Sequence, residues 1–308
     1  MVSSTATRIA LKCVRCQSPN LSDRPDGGHD CRACNASYPK VKGVLRFVGS
    51  EAYSGSFGYQ WNRFSKTQLD SANGSTRSRD TFVEKTGWKL DDLRGKSVLD
   101  AGCGMGRFAE IAANAGADVH AIDLSTAVEA AAGNLGARPN ITFYQADIFN
   151  LPFAEGSFDY IYSLGVLHHT PDTRRAFLGL TKLLKPGGRI TIWVYSRAYT
   201  KRYSGSEILR PLTSRLPKPL LLSMCRVAVP LYYVHMLPVV GKFTGVALPT
   251  SHDPDPAWRW LDTFDWYSPT YQWKHTHEEV RGWFAEAGLS EITSLPFPES
   301  VTGIRPLR

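Results

Sequence analysis

Two sets of residues are spaced for chemistry. The first is Cys13, Cys16, Cys31 and Cys34, two Cys-x-x-Cys knuckles separated by a short polar loop. Each knuckle offers two thiolates to one ion, and two knuckles complete a closed tetrahedral set suited to structural Zn²⁺. The second set begins at Asp100 and continues through Gly102, Cys103, Gly104, Met105 and Gly106. Alternating glycines between a strand and a helix let the backbone approach a ligand without Cβ collisions, and they aim helix N-terminal amides at it. About 20 residues further on, Asp123 ends a second apolar run, where one carboxylate can accept from both hydroxyls of a ribose. Asp147 ends a third run, Ile141 to Asp147. His168 and His169 follow a fourth run, Phe158 to Leu164. An imidazole near its own pKa can take a proton from a hydroxyl or an activated carbon. His168 is the candidate base, with capping of the following helix or structural packing the alternative role for either histidine.

The elements that must carry these residues alternate strand and helix, as a doubly wound sheet requires. Strands are expected at Ser97–Leu99, Asp118–Asp123, Ile141–Asp147, Phe158–Leu164 and Arg189–Tyr195, with helices starting near Phe108, Ser125 and Arg174. Lys185-Pro186-Gly187-Gly188 is expected to stop the last of these helices at Leu184, glycine supplying the positive φ of a C-cap. Thr276 and Glu279 form a capping box for a late helix ended by Gly288. The final strands, Leu289–Leu295 and Val301–Leu307, form an antiparallel pair at one edge.

Gly102-x-Gly104-x-Gly106, with Asp100 two residues before it, resembles motif I of the class I S-adenosylmethionine-dependent methyltransferases. Asp147-Ile148 resembles their adenine site. Gly165 to Asp172 and the Leu184-Lys185-Pro186-Gly187-Gly188 turn resemble the ubiquinone-type and small-molecule members. The resemblance covers residues 96–196 through specific motifs and 257–308 more loosely. It implies a Rossmann-like α/β fold with a seven-stranded, mostly parallel sheet and an antiparallel edge strand. It also implies that Asp100, Gly102, Cys103, Gly104, Gly106, Asp123, Leu124, Asp147, Ile148 and Leu164 bind the cofactor. Methylation of planar exocyclic amines usually employs an Asn/Asp-Pro-Pro-aromatic tetrad after the fourth strand. This chain has Leu164-Gly165-Val166-Leu167 there. O-, C- or ring-N-methylation remains, and a small molecule that is sugar-containing, lipid-linked or quinone-like is the expected acceptor. An N-terminal zinc ribbon before such a core also resembles ribosomal guanine-N1 enzymes, which makes an rRNA base the alternative acceptor. A non-catalytic cofactor-binding scaffold is a further alternative.

The length of 308 residues allows a large and a small domain. The expected divisions are a zinc ribbon over 1–48, pre-core helices over the cofactor site at 49–94, and a methyltransferase domain over 95–308 with a helical apolar insertion at about 197–250. In the pre-core segment Tyr59 or Trp61 could line the cofactor mouth, while Arg77 and Arg79 read as a solvated face. Asp265, Tyr267, His275 and His277 are candidate substrate contacts. The net charge of +8 suits an anionic substrate or, as the lesser option, nucleic acid. The insertion is too broken by Arg226, Pro230, His235 and Pro238 for a membrane span. It reads as a lid, a homodimer surface or a peripheral lipid contact. Met1 to Ala10 lacks the apolar stretch of a signal peptide. With paired metal-type cysteines, this points to the cytoplasm.

Overall fold

Ser97–Ala101 (β6) is buried along its whole length, which its near-continuous apolar sequence permits and a central parallel strand demands. It lies between Asp118–Asp123 (β7) and Phe158–Leu164 (β9), parallel to both. The computed structural model describes residues 9–49, 52–198 and 205–307. Residues 1–8 of the expected leaderless stretch and residues 199–204 of the expected insertion lie outside the described residues.

Nine strands make the main sheet. Outward from β6 on one side run β7, Ile141–Gln145 (β8), Val44–Arg46 (β5) and Lys40–Val41 (β4). On the other side run β9, Leu184–Trp193 (β10), Ser300–Ile304 (β12) and Ser290–Ser294 (β11). Seven of these form the Rossmann-like sheet. β12 runs antiparallel to its neighbours β10 and β11. The order reverses between β6 and β9, and the crevice at such a switch point is where open α/β sheets bind ligands.

Leu21–Asp23 (β1), His29–Cys31 (β2) and Ser37–Tyr38 (β3) form a separate small sheet that carries the cysteine knuckles. The ribbon sequence does not stop at this small sheet. Residues 40–46 add two strands to the main sheet, with β5 parallel to β8. Leu11 bridges Phe153, and Cys13, Cys31, Tyr38 and Phe47 share one apolar cluster with Tyr144 and Phe153. The unit therefore borrows the large core where it lacks its own.

Gly55–Arg63 (α1), Asp70–Asn73 (α2) and Arg77–Thr86 (α3) precede the sheet. Arg107–Asn114 (α4), Ala127–Leu135 (α5) and Thr173–Thr181 (α6) are crossover helices. Asp172 caps α6, its side chain accepting from the Arg175 amide at 2.9 Å. The helix ends at Thr181, not at Leu184. Lys185 to Gly188 instead form an irregularity in β10, whose register with β9 shifts between Leu184 and Arg189. Gly187, at φ +76°, bends the strand and donates to the Arg305 carbonyl.

Four short helices fill the insertion: Gly205–Thr213 (α7), Lys218–Cys225 (α8), Ala228–His235 (α9) and Val240–Ala247 (α10). α7, α8 and α9 pack on Pro256–Tyr267 (α11), which starts on the Asp255 cap, and α10 packs on α9 and α7. His277–Glu286 (α12) carries the full Thr276–Glu279 capping box. None of the described helices is long and apolar enough to cross a membrane.

Candidate active site

The glycine loop follows β6 directly, and three of its residues have left-handed φ: Gly102 at +98°, Gly104 at +53° and Gly106 at +95°. A Cβ on Gly102 would meet the Val166 side chain at 2.4 Å, and one on Gly104 would meet the Trp61 indole at 3.2 Å. The loop is thus a cradle closed by side chains from a distant strand end and from α1. The Gly104 amide donates to Asp123 Oδ2 at 2.9 Å. The Ser125 amide and hydroxyl donate to Asp123 Oδ1 at 2.8 and 2.7 Å. The end of β7 and the loop are therefore held as one surface.

A cavity of about 510 Å³ opens on this surface. Gly102, Cys103, Gly104, Asp123, Leu124, Ile148 and Leu164 line it together. Asp100, Gly106 and Asp147 do not line it. Asp100 lies beneath the loop, fully buried, and burial pushes its carboxyl up to about 8. Its Oδ2 has no hydrogen-bond partner among the described residues. Gly106 packs on Leu135 and Ala131 of α5. Asp147 accepts the Phe149 amide at 3.0 Å and so ties down the turn that presents Ile148.

The opposite wall comes from scattered segments. Tyr53, Phe57, Gln60 and Trp61 approach from α1 and the turn before it. Tyr59 instead packs towards Phe264, at 6.3 Å between ring centroids. Arg77, Thr81 and Lys85 come from α3, and Arg107 from the first turn of α4. Arg77 is exposed yet engaged. It pairs with Asp253 and stacks on Trp258 at 3.8 Å. Arg79 is exposed, as expected. Lys85 is buried over the Trp193 ring, 3.1 Å from its centroid. Arg107 donates to the Ser78 hydroxyl at 3.0 Å, and burial lowers its guanidinium to about 10. Among the described residues neither Lys85 nor Arg107 forms an ion pair, and burial holds the Lys85 ammonium well below its ordinary value. Asp262 and Asp265 line the cavity from α11. Burial pushes Asp262 up to about 7, aided by the charges of Asp265 and Asp253. Asp265 accepts from the Tyr195 hydroxyl at 2.8 Å.

The structure places the two adjacent histidines in different surroundings. His168 is 0% exposed and does not line the cavity. Neither ring nitrogen has a partner among the described residues, and the ring stacks on Tyr195 with centroids 3.9 Å apart. Its ring is packed among neighbouring side chains and away from the cavity lining. His169 does line the cavity. Its Nδ1 lies 2.9 Å from the Tyr271 carbonyl. A carbonyl only accepts, so the proton sits on Nδ1 and Nε2 keeps its lone pair. Burial holds its pKa below the ordinary histidine value, opposed by Asp265 and by the Tyr271 hydrogen bond. His169 is thus an oriented neutral imidazole, and the backbone carbonyl that orients it lies 102 residues away.

Of the other expected substrate contacts, only Asp265 lines this cavity. The Tyr267 hydroxyl donates to the Pro249 carbonyl at 2.9 Å. His275 Nε2 lies 3.1 Å from the Thr173 hydroxyl, and His277 Nε2 accepts the Glu299 amide at 3.1 Å. Gln68, Lys85, Arg107, Trp193 and Tyr195 were not foreseen. Arg107 had a usable signal, since it adjoins Gly106, but nothing near Lys85 in the sequence announces a cavity.

In the ribbon the four Sγ atoms all lie within 4.8 Å of one another. Cys13 to Cys34 is 3.5 Å and Cys16 to Cys31 is 3.6 Å. Zn–S bonds of about 2.3 Å in a tetrahedron require sulfur separations of roughly 3.8 Å, so this donor set fits the ion. The Tyr38 hydroxyl lies 3.0 Å from Cys13 Sγ, placed to donate to a thiolate.

A doubly wound sheet with a glycine cradle, an acid at the end of β7 and a cavity at the switch point is an arrangement suited to a nucleoside cofactor. Residues 99–192 match the methyltransferase domain family. Phosphoethanolamine N-methyltransferase 2 of Caenorhabditis elegans is 35% identical over 111 residues, covering 34% of this chain and 25% of that protein. The ubiquinone biosynthesis O-methyltransferase of Coxiella burnetii is 35% identical over 131 residues, covering 41% of this chain and 55% of that protein. A crystal structure of an S-adenosylmethionine dependent methyltransferase from Mesorhizobium loti is 33% identical with a TM-score of 0.34, covering 36% of this chain and 52% of that one. The chain spans about a quarter to a half of the length of these relatives. It carries a class I S-adenosylmethionine-dependent methyltransferase domain.

Proposed function

We propose that this chain methylates oxygen or carbon of a small-molecule acceptor. The observation that carries this reading is one cavity with the glycine cradle and Asp123 on one wall and His169 and Asp265 on the other. When bound, S-adenosylmethionine supplies a sulfonium methyl already activated for displacement. Asp123 would hold the ribose hydroxyls, with Leu124 and Ile148 bordering the base. Arg107, which lines the cavity with no ion-pair partner among the described residues, supplies the positive charge that a methionine carboxylate requires. Trp61, Trp258 and Trp193 would exclude water. His169 Nε2 would take the acceptor proton as the new bond forms, while Asp265, fixed by Tyr195 and Gln60, would orient the acceptor. Since the donor is already activated, positioning and desolvation supply most of the rate and the base a smaller part. We further infer that Cys13, Cys16, Cys31 and Cys34 hold one Zn²⁺ away from the methyl-transfer cavity, in a protein working in a reducing cytoplasm.

The test is incubation with methyl-labelled cofactor and fractionated cell extract. Label in the small-metabolite or lipid fraction supports the reading. Label in RNA overturns it in favour of a nucleic-acid acceptor, and cofactor binding without transfer into any fraction overturns it in favour of a scaffold.

A further inference from the structure

The helical insertion buries only its inward residues. Leu221, Leu222 and Cys225 of α8 pack with Phe64, Leu261 and Phe264. Its outward residues are also apolar. Ile208 and Leu212, one turn apart on α7, are 67% and 64% exposed. Tyr233 on α9 is 70% exposed and Phe243 on α10 is 75% exposed. Met236 and Val239, between α9 and α10, stand out as well. Side chains of this size turned to water in four successive helices mark an interaction surface and not the scattered exposure of an ordinary monomer.

Charge says which partner. From Ile208 to His252 the sequence has five Lys or Arg and no Asp or Glu. Arg215, Arg226 and Lys242 are exposed, and none has an ion-pair partner among the described residues. A second copy of this chain would set these cations against their own equivalents. A helical surface with exposed aromatic and aliphatic residues, basic side chains and no acids matches instead the boundary of a bilayer carrying anionic headgroups. The helices are too short to span, since a span needs about 20 apolar residues and these have eight or nine. They could only lie on the surface.

Position gives the surface a use. Gly241, Lys242, Gly245 and Val246 of α10 line a second cavity of about 840 Å³. That cavity shares Trp193, Tyr195, Trp266 and Phe297 with the cavity at the glycine loop. α10 thus has one side on a cavity that shares a wall with the glycine-loop cavity and another side open to solvent.

We propose that the outer face of residues 208–248 docks on an anionic lipid surface as a peripheral, non-spanning element. The surface stands independently of the methyl-transfer reading, and its test uses no turnover. The full chain is sedimented with vesicles of phosphatidylcholine alone and of phosphatidylcholine with phosphatidylglycerol. Binding to the anionic vesicles only, weakened by salt, is expected. The paired substitution Leu212→Ser and Phe243→Ser removes two exposed side chains and leaves the fold intact. It should lower partitioning by about tenfold or more while leaving cofactor affinity by calorimetry unchanged. Arg215→Glu with Arg226→Glu should abolish the preference for anionic vesicles. Equal recovery with and without vesicles overturns the proposal. So does a dimer in analytical ultracentrifugation that Phe243→Ser dissociates, because a second copy would then cover this face.

Discussion

The two walls of the active-site cavity are built in opposite ways. The cofactor wall comes from the loop after β6 and from the ends of β7 and β8, within about fifty consecutive residues. Its internal hydrogen bonds join near neighbours in the sheet, such as the Gly104 amide and Asp123. The acceptor wall draws on α1, α3, the 3₁₀ turn holding His169, the segment after β10, and α11. Its key bonds span long separations: Gln60 to Asp265 across 205 residues and His169 to Tyr271 across 102. A wall made of one local motif can hold a constant ligand in a constant way. A wall assembled from distant segments can change with its insertions, which is where acceptor choice would reside.

Breaking one wall at a time sharpens this comparison. The largest effect is expected at His169. His169→Asn should lower kcat by about 10²–10⁴ with cofactor affinity unchanged. His168→Asn should act mainly on thermal stability. Burial depresses the His169 pKa below the ordinary value, so its neutral form persists at pH 7. Wild-type activity should fall only as the pH drops through that depressed value, and the variant should lack this acidic limb. Equal losses of kcat in the two variants would reject the assignment of the acceptor wall.

On the cofactor wall, Asp123→Ala should weaken cofactor binding by about 1–3 kcal/mol, the order for removing a buried acceptor. Acceptor KM should move little. Calorimetry showing unchanged cofactor affinity would remove Asp123 from the ribose site.

The ribbon touches neither wall, so it serves as a control. Cys16→Ser, or chelation of the bound metal, should lower Tm by several degrees while the folded fraction keeps its cofactor affinity. Elemental analysis should find one zinc per chain, and finding none in protein prepared without chelator would discard the site.

The smallest effect concerns Asp100. Its folded-state carboxyl is raised to about 8, against roughly 3.9 in an unfolded chain. Between those values the folded state binds a proton that the unfolded state has released, so stability declines as pH rises through the window. Asp100→Asn should flatten that decline in thermal melts taken across it. An identical pH dependence in the variant would mean that the acid is solvated when folded.

Sequence alone determined what depends on contiguous residues. The glycine loop, the acid closing β7, the Cys-x-x-Cys pairs and the Thr276 capping box follow from backbone geometry over a few residues. Tertiary structure decided which of two adjacent histidines faces the cavity. A 3₁₀ turn rotates His169 towards the Tyr271 carbonyl and His168 onto Tyr195, and neither partner is near in sequence. It also turned Lys185 to Gly188 into a strand irregularity, because pairing with β9 and β12 outweighed the local helix-stop signal. It set Arg77 against Asp253 and Lys85 over Trp193, contacts whose energy depends on burial that only the assembled chain creates. Local spacing encodes backbone shape, whereas the environment of a side chain is a property of everything that packs around it.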